Sequence, residues 1–356
     1  MVTDNALPRY DWKRSYDWNF RHAPAPQRLD VPPVSGNWDF CGLPVNSPLG
    51  IPAGPLLNGR WCLYYASLGF DVLTYKTVRS RQRDCYSLPN LQPVRCGSLR
   101  GGELNLPASG TMEGNWAVSF GMPSKAPEIW RTDVEMTKDS LPPGKLLCVS
   151  VVGTIQDGWS IEDLARDYAR CAKWAVDSGA DAVESNFSCP NVSTCDGQLY
   201  QTPTDAALVA QCVREAVGKT PYLIKVGHVN ECDTAEALIE AIGGLADALA
   251  MTNSIAATVR DQSGQLLFGG QPRGICGEAI QAASADQVAM FAKLIQKRDG
   301  GLRIVGVGGA SDASHVRAYL AAGAHAVHLA TSAMLRPSVA VQIRRALADE
   351  NLDTSK

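Results

Sequence analysis

The sequence has few of the features that mark membrane, secreted or nucleic-acid-binding proteins. None of its apolar runs approaches the ~18 residues needed to cross a bilayer. The first 30 residues carry charges and lack the apolar h-region of a secretion signal. The formal net charge is −3 and no long basic run is present, so the positive surface expected of a nucleic-acid-binding protein is missing. These absences predict a cytoplasmic protein that acts on small molecules, without a membrane or nucleic-acid partner.

Paired cysteine motifs are also absent. The 11 cysteines are odd in number and scattered without CxxC spacing, which favours free thiols in a reducing compartment over a disulfide framework or a zinc site. We therefore predict no metal. Cys189 and Cys195 lie close enough in sequence for a redox pair, although a glycine-containing mobile loop around a catalytic residue explains the same segment.

From Leu49 onward, short apolar runs alternate with stretches of helical periodicity. This alternation predicts a parallel sheet with crossover helices, and eight strand–helix units favour an α/β fold, a closed (β/α)8 TIM barrel. The predicted strands are Leu49–Ala53, Asp71–Lys76, Leu146–Val151, Asp181–Asn186, Tyr222–Val226, Ala246–Thr252, Arg303–Val307 and Ala326–Ala330. Helices are expected at Ile161–Ser178, Asp205–Val217, Ala235–Gly243, Ser284–Lys297 and Ala313–Ala322.

Two departures from a plain barrel are expected. Residues 78–145, rich in Arg, Gly, Pro and Ser, are too long for an ordinary βα loop and are interpreted as an inserted lid or substrate loop. Residues 1–45 form an N-terminal extension with Trp12, Trp18 and Phe20, expected to pack on the barrel, with contact to another subunit as the alternative. The barrel itself is predicted over residues 46–350.

The hexapeptide Asn186-Phe187-Ser188-Cys189-Pro190-Asn191 directly follows the fourth predicted strand. Carboxamides flank a thiol there, and a carboxamide can both donate to and accept from the edge of a cyclic amide. A thiol, with a reference pKa of about 8.5, titrates near neutrality with modest help, so Cys189 could serve as a proton base. The arrangement suits proton removal from a lactam ring.

Other strand ends add polar or small groups at the same predicted barrel face, where the functional residues of such barrels collect. Alone, each could be a loop cap or a salt-bridge partner. The residues are Ala53-Gly54 after the first strand, Lys76-Thr77 after the second, Lys225 after the fifth and Asn253-Ser254 after the sixth.

The last two strands carry a different signal. Gly308-Gly309 and Ala330-Thr331 follow them, and the turn Arg273–Gly277 could close the same cradle. Loops at these positions often bind phosphate through backbone N–H groups. The alternative is that the glycines are only turn residues. If the cradle binds the phosphate of a flavin, Lys225 could neutralise electron density on the flavin ring.

This series of strand ends resembles the dihydroorotate dehydrogenase family of FMN-dependent barrels. The resemblance spans about Pro48 to Leu347, and a cysteine in the hexapeptide implies the soluble class 1 enzymes, with Cys189 as catalytic base. It implies substrate-binding roles for Lys76, Asn186, Asn191, Asn253, Ser254, Gly121 and Met122. It implies FMN-binding roles for Ala53, Gly54, Lys76, Thr77, Asn186, Lys225, Asn253, Gly277, Gly308, Gly309, Ala330 and Thr331. Homodimerisation is a further expectation.

One substitution bears on the substrate. The family carries an Asn-Ser-Met-Gly-Leu-type substrate loop, and its counterpart here, Val118-Ser119-Phe120-Gly121-Met122, begins with valine. Oxidation of dihydroorotate to orotate, by hydride transfer to FMN, is the leading interpretation. The alternatives are a relative acting on another dihydropyrimidine, lactam or specialised metabolite, and a non-redox phosphate-binding isomerase or aldolase. The electron acceptor is not indicated.

Overall fold

A closed barrel of eight parallel strands organises the protein. The structure, a computed structural model, describes residues 7–188, 198–298 and 301–353, with side chains up to residue 348. Its strands are β1 (Trp38–Phe40), β2 (Leu43–Val45), β3 (Leu49–Ile51), β4 (Val72–Val78), β5 (Leu91–Pro93), β6 (Leu106–Pro107), β7 (Asn115–Val118), β8 (Leu146–Val151), β9 (Ala182–Asn186), β10 (Tyr222–Lys225), β11 (Ala248–Met251), β12 (Ile255–Ala257), β13 (Val259–Arg260), β14 (Arg273–Gly277), β15 (Arg303–Val307) and β16 (Ala326–His328). Its helices are α1 (Tyr16–Arg21), α2 (Gly59–Ser67), α3 (Pro127–Ser140), α4 (Ile161–Asp177), α5 (Pro203–Val217), α6 (Cys232–Ile242), α7 (Gln281–Gln296), α8 (Ala313–Ala321), α9 (Thr331–Leu335) and α10 (Val339–Asp353).

The predicted barrel is confirmed. Its strands β3, β4, β8, β9, β10, β11, β15 and β16 coincide with the eight predicted runs and follow one another around the ring in chain order. Pairing of β16 with β3 closes the ring. The strands are almost entirely buried because side chains facing outward pack under helices and most of those facing inward fill the barrel.

The five predicted helices are confirmed within a few residues at each end, as α4 to α8. Local signals explain several helix starts. Ser160 and Asp163 form a reciprocal capping box at the start of α4. Asp312 accepts from the His315 N–H at the start of α8, and α5 has proline in its first turn. Among residues 7–188, 198–298 and 301–353, no helix is long and apolar enough to cross a membrane.

The hairpin of β1 and β2 covers the N-terminal end of the barrel. Phe40 lies among inward-facing side chains from the starts of the barrel strands, including Val72 and Leu146. Its ring stacks on that of His328, with centroids 5.8 Å apart. The core of the barrel is therefore packed at this end, and the functional residues predicted at the strand ends lie at the other.

Two segments cover the opposite, C-terminal end. One follows β4 and contributes β5 and β7; the other follows β11 and contributes β12 and β14. The four pair in the order β12-β14-β7-β5 and build a small sheet with an apolar core of its own. Range 78–145 also contains α3, the helix that follows β4 around the barrel.

The interpretation of Arg273–Gly277 as a turn was wrong, because these residues form β14, paired with both β12 and β7. The glycines suggested a turn, whereas Gly277 serves close packing. A Cβ there would lie 2.1 Å from the Gly114 carbonyl oxygen, and the φ of +117° is one that L side chains rarely adopt.

His328 gives the barrel interior an acid-sensitive group. Burial, and secondarily the positive charge of Lys225, lower the pKa of His328 from 6.5 to about 3. In the unfolded chain the imidazole binds a proton below its ordinary pKa, whereas in the folded protein it stays neutral to about pH 3. The unfolded state therefore binds more protons in this window, and stability falls as pH falls.

We expect His328 to contribute a loss of about 1.4 kcal/mol in the free energy of unfolding per pH unit between pH 6 and 4. His328→Leu should remove that contribution, whatever its effect on stability at pH 7. Urea denaturation of both proteins at pH 7, 6, 5 and 4 measures the two slopes. Parallel slopes would contradict the assignment.

Candidate active site

An open cavity of about 960 Å³ lies where the C-terminal ends of the barrel strands meet the small sheet. A second cavity of about 840 Å³ adjoins it. Lining residues shared by both are Asn253, Cys276, Val307, Ala330 and Thr331. Trp116 and Cys276 from the small sheet line the side opposite the barrel. This end of the barrel is therefore not filled by side chains, and two adjoining cavities, both open to solvent, lie over it.

Lys225 contributes a buried positive charge to the larger cavity. Its Nζ lies 2.7 Å from Glu184 Oε1, and both side chains are 2 % exposed. They come from the neighbouring strands β10 and β9, and both point into the barrel. The contact is an ion pair without hydrogen-bond geometry, and among the described residues Nζ donates no hydrogen bond. Lys225 thus places a buried positive charge, paired with Glu184, at the wall of the cavity, where it could also bind an electron-rich group.

Two carboxamides converge on the same space. Asn186 Oδ1 accepts from the Ser188 N–H at 3.1 Å, which points its Nδ2 at Thr77 Oγ1, 3.3 Å away, and at Met122 Sδ, 3.7 Å away. Asn253 Nδ2 donates to the Ser188 carbonyl oxygen at 2.5 Å. Both amides thus fix the backbone at Ser188, the residue immediately before Cys189.

Residues 118–122 form another wall of the cavity. Gly121 and Met122 both have positive φ, +72° and +51°, and Met122 is buried despite this conformation. The fully buried Arg79 stabilises it, since its Nε donates to the Met122 carbonyl oxygen at 3.1 Å and its Nη1 to the Gly153 carbonyl oxygen at 2.8 Å. The guanidinium ties the loop to the segment after β8.

Lys76 supplies the second ammonium group of the cavity. It is 7 % exposed, and its Nζ lies 5.3 Å from the centroid of the Phe120 ring, within the range of a cation–π interaction. Because the surrounding lining is largely apolar, the charge is only weakly screened. The loop after β7 thus places an aromatic face beside the ammonium group.

The smaller cavity has a glycine-rich wall. Gly277, Gly308 and Gly309 line it, together with Ser311, Ser332 and Arg336. Gly308 has a φ of +134°, and a Cβ there would lie 2.2 Å from Ser284 Oγ, so only glycine fits. Arg336 donates to the Ser311 carbonyl oxygen at 2.7 Å. The wall combines accessible backbone with a guanidinium group, a set that suits phosphate, although Glu113 and Glu278 also border the cavity.

Comparison with known families agrees with this geometry. The family model described as "Dihydroorotate dehydrogenase" matches residues 37–350. The chain belongs to the dihydroorotate dehydrogenase family. Members of this family are flavin-dependent oxidoreductases that act on a CH–CH bond.

Individual relatives extend this result. A dihydroorotate dehydrogenase of Dictyostelium discoideum is 31% identical over 360 residues, covering 94% of this chain and 96% of the relative. The "Dihydroorotate dehydrogenase B (NAD(+)), catalytic subunit" of Desulforudis audaxviator is 26% identical over 308 residues, covering 85% and 88%. A crystal structure of DHODH from Eimeria tenella in complex with ferulenol has the same fold, with a TM-score of 0.74 at 17% identity and coverage of 95% and 90%.

The structure brings together the described residues to which the dihydroorotate dehydrogenase resemblance gave roles. Those lining the larger cavity are Ala53, Gly54, Lys76, Thr77, Gly121, Met122, Asn186, Lys225, Asn253, Ser254, Ala330 and Thr331. Gly277, Gly308 and Gly309 line the adjoining one. Cys189 and Asn191 lie outside the described residues, as does Cys195. Their predicted roles therefore remain predictions.

Several residues of this candidate site were missed by sequence reasoning. Glu184 carried a usable signal, because a carboxylate within a buried parallel strand requires a partner. Phe120 was named only as part of the substrate loop, without a role of its own. Arg79 and Arg336 carried no signal, since each is an ordinary residue near the end of an element. Their roles depend on contacts between segments distant in sequence.

The residues that line the two cavities suit a flavin that carries a phosphate group. A flavin ring is stabilised by a buried cation beside it, and Lys225, paired with Glu184, provides such a cation at the cavity wall. A terminal phosphate requires the glycine-rich wall and a positive charge, which the adjoining cavity provides. The donor set of the site thus agrees with the flavin dependence of the family.

Proposed function

We propose that this protein binds FMN and oxidises dihydroorotate to orotate. The observation that carries the proposal is the convergence of Lys76, Asn186, Asn253 and Ser254 on one cavity that also contains Lys225. The first four offer a cation, two carboxamides and a hydroxyl, which complement the carboxylate and cyclic imide of the substrate. Membership of the dihydroorotate dehydrogenase family over residues 37–350 supports the same substrate.

When bound, FMN would supply the acceptor for the hydride of the C–H bond that is oxidised. The protein's own residues perform the remaining work. Lys76 holds the substrate carboxylate, while Asn186 and Asn253 orient the ring and the backbone at Ser188. Cys189, the next residue, takes the proton from the adjacent carbon as general base. Lys225 would stabilise negative charge on the flavin, and Gly308, Gly309 and Arg336 would hold its phosphate.

The proposal is tested on the purified protein. We expect a yellow protein with flavin absorbance that bleaches when dihydroorotate is added without oxygen, with one equivalent of orotate formed per flavin. A colourless protein that cannot be reconstituted with FMN would overturn the cofactor assignment and favour a non-redox phosphate-binding barrel. A yellow protein that dihydroorotate does not bleach would overturn the substrate assignment alone.

A second candidate substrate is favoured by one observation. Val118 lines the cavity, where the family's loop begins with asparagine, so the site has one fewer hydrogen-bonding group. This favours a dihydropyrimidine or lactam with fewer polar groups than dihydroorotate.

The exchange Val118→Asn is expected to change substrate preference. An added carboxamide that pairs with a polar substrate contributes about 1 kcal/mol, so kcat/KM for dihydroorotate should rise by about fivefold relative to dihydrouracil and dihydrothymine. Val118→Leu is the matched control, since it changes volume without adding a polar group. Steady-state kinetics with all three substrates measure the ratio, and an unchanged ratio in Val118→Asn would contradict a role for residue 118.

We also infer a cytoplasmic homodimer acting in pyrimidine biosynthesis. Nine cysteines of the described residues are free thiols, which supports a reducing compartment. The sequence carries no recognisable second nucleotide-binding motif or iron–sulfur cysteine cluster, so fumarate, oxygen and a partner subunit are the acceptors to compare. Turnover of dihydroorotate with each acceptor, and the mass of the native protein in solution, test these points.

A further inference from the structure

Phe120 lies between the active-site cavity and the N-terminal extension. One side of its ring borders the cavity beside Lys76. On the other side it meets two tyrosines of the extension, edge to face. The Tyr10 and Phe120 centroids are 6.4 Å apart at an interplanar angle of 86°, and those of Tyr16 and Phe120 are 6.3 Å apart at 71°. All three rings are buried.

The extension is itself held firmly against helix α2. The Tyr64 hydroxyl donates to the Pro8 carbonyl oxygen at 2.5 Å, and Trp61 Nε1 donates to the Asn19 carbonyl oxygen at 3.1 Å. Asn58, the N-cap of α2, donates from Nδ2 to the Phe20 carbonyl oxygen at 2.8 Å. Since α2 packs on the barrel, Tyr10 and Tyr16 are fixed relative to the barrel strands.

A second link joins the extension to the chain just after the substrate loop. Lys125 Nζ lies 2.7 Å from Asp17 Oδ1, and it also lies 5.8 Å from the Tyr16 centroid and 5.0 Å from the Phe20 centroid. The extension therefore contacts the loop of residues 118–122 at Phe120 and the chain just after the loop at Lys125, while Arg79 holds the loop at Met122.

We propose that the N-terminal extension is a positioning element of the active site. Tyr10 and Tyr16 hold the Phe120 ring, and the face of that ring holds the Lys76 ammonium group at the substrate end of the cavity. Tyr10 and Tyr16 are positioning residues, because they act through Phe120. The assignment of Lys76 to the substrate rests on the proposed function, whereas the chain of contacts from Tyr16 to Lys76 does not.

The geometry of the ring contacts explains how the tyrosines affect Lys76. Edge-to-face packing on Phe120 fixes both the place and the tilt of its ring. A cation–π contact depends on both, because the attraction is to the face of the ring. Removal of either tyrosine leaves a space into which Phe120 can turn, and Lys76 then loses its aromatic face.

The test uses Tyr16→Leu and Tyr10→Leu in the full-length flavoprotein. We expect KM for dihydroorotate to rise about threefold to tenfold, with kcat changed less than twofold and flavin content unchanged. Tyr16→Phe should have the wild-type KM, because an aromatic ring is retained at position 16. Trp18→Leu is the matched control, since Trp18 belongs to the same helix but stacks on His22, with centroids 4.1 Å apart.

A double-variant cycle tests whether Tyr16 acts on KM through Phe120. If Tyr16 acts through Phe120, then Tyr16→Leu should raise KM much less in a Phe120→Leu background than in the wild type. Equal effects in both backgrounds, or a Trp18→Leu effect as large as that of Tyr16→Leu, would overturn the proposal.

A crystal structure of Tyr16→Leu separates this proposal from the proposed function. We expect the distance from Lys76 Nζ to the Phe120 centroid to exceed 6 Å, compared with 5.3 Å in the wild type. An unchanged Phe120 and Lys76 would overturn the positioning role. If Phe120 and Lys76 are displaced in a protein that does not oxidise dihydroorotate, the positioning role is supported and the proposed substrate is overturned.

Discussion

Replacement of Cys189 by alanine is expected to lower turnover of dihydroorotate by about 10²–10⁴-fold, the usual contribution of a positioned general base. Flavin content should be unchanged, because Lys225 and the glycine-rich wall, which would hold the flavin, remain in place. Substrate affinity should change little, since Lys76 and Asn186 remain. Single-turnover reduction of the bound flavin measures the proton-abstraction step directly.

Matched variants distinguish a base from other roles of this segment. Wild-type turnover should rise with pH as the thiol deprotonates, and Cys189→Ser should be slow at neutral pH because a hydroxyl is a much weaker acid. Cys195→Ala should behave as wild type. If Cys195→Ala is as slow as Cys189→Ala, a redox pair explains the segment better. If Cys189→Ala retains wild-type rates at every pH, Cys189 is not the base.

Removal of Glu184 is expected to destabilise the fold strongly. In Glu184→Ala, the ammonium group of Lys225 would remain buried inside the barrel without its counter-charge, which typically destabilises a protein by about 3–5 kcal/mol. Chemical denaturation at pH 7 measures the change in the free energy of unfolding. The variant should still bind FMN when folded, because Lys225 remains.

The double variant Glu184→Leu/Lys225→Met is the control for that experiment. Replacement of a whole buried ion pair by apolar side chains is often neutral for stability, so the double variant should recover most of the lost stability. It should nevertheless bind FMN more weakly than wild type, because the cavity has lost its cation. Equal destabilisation in the single and double variants would show that packing, rather than charge, is responsible.

Much of the fold was predictable because the barrel depends on local patterns. Short β-rich runs and amphipathic helices alternate with a regular spacing, and closure follows from their number. The strand-end residues could be gathered into one site for the same reason, since parallel strands bring their carboxyl ends to one face. Strand-end positions alone predict that Lys76, Asn186 and Lys225 share one site, and all three line the same cavity.

The remaining parts depend on contacts between distant segments. Arg273–Gly277 resembled a turn because glycine usually indicates one, whereas its strand exists only through pairing with β7, far away in the chain. The contacts of Arg79 with Met122 and of Tyr16 with Phe120 are likewise set by packing. Hydrophobic periodicity within one segment carries no information about such contacts.

The small sheet over the cavity also determines when, during folding, the protein can bind its cofactor. Its two central strands come from opposite halves of the sequence, with Asn115 beside Gly277 and Trp116 beside Cys276. Closure of so large a loop is entropically unfavourable until the barrel has brought both insertions to the same rim. The protein should therefore become able to retain its cofactor only at the end of folding. The appearance of yellow colour during refolding would then report that the whole chain, rather than either half, has assembled.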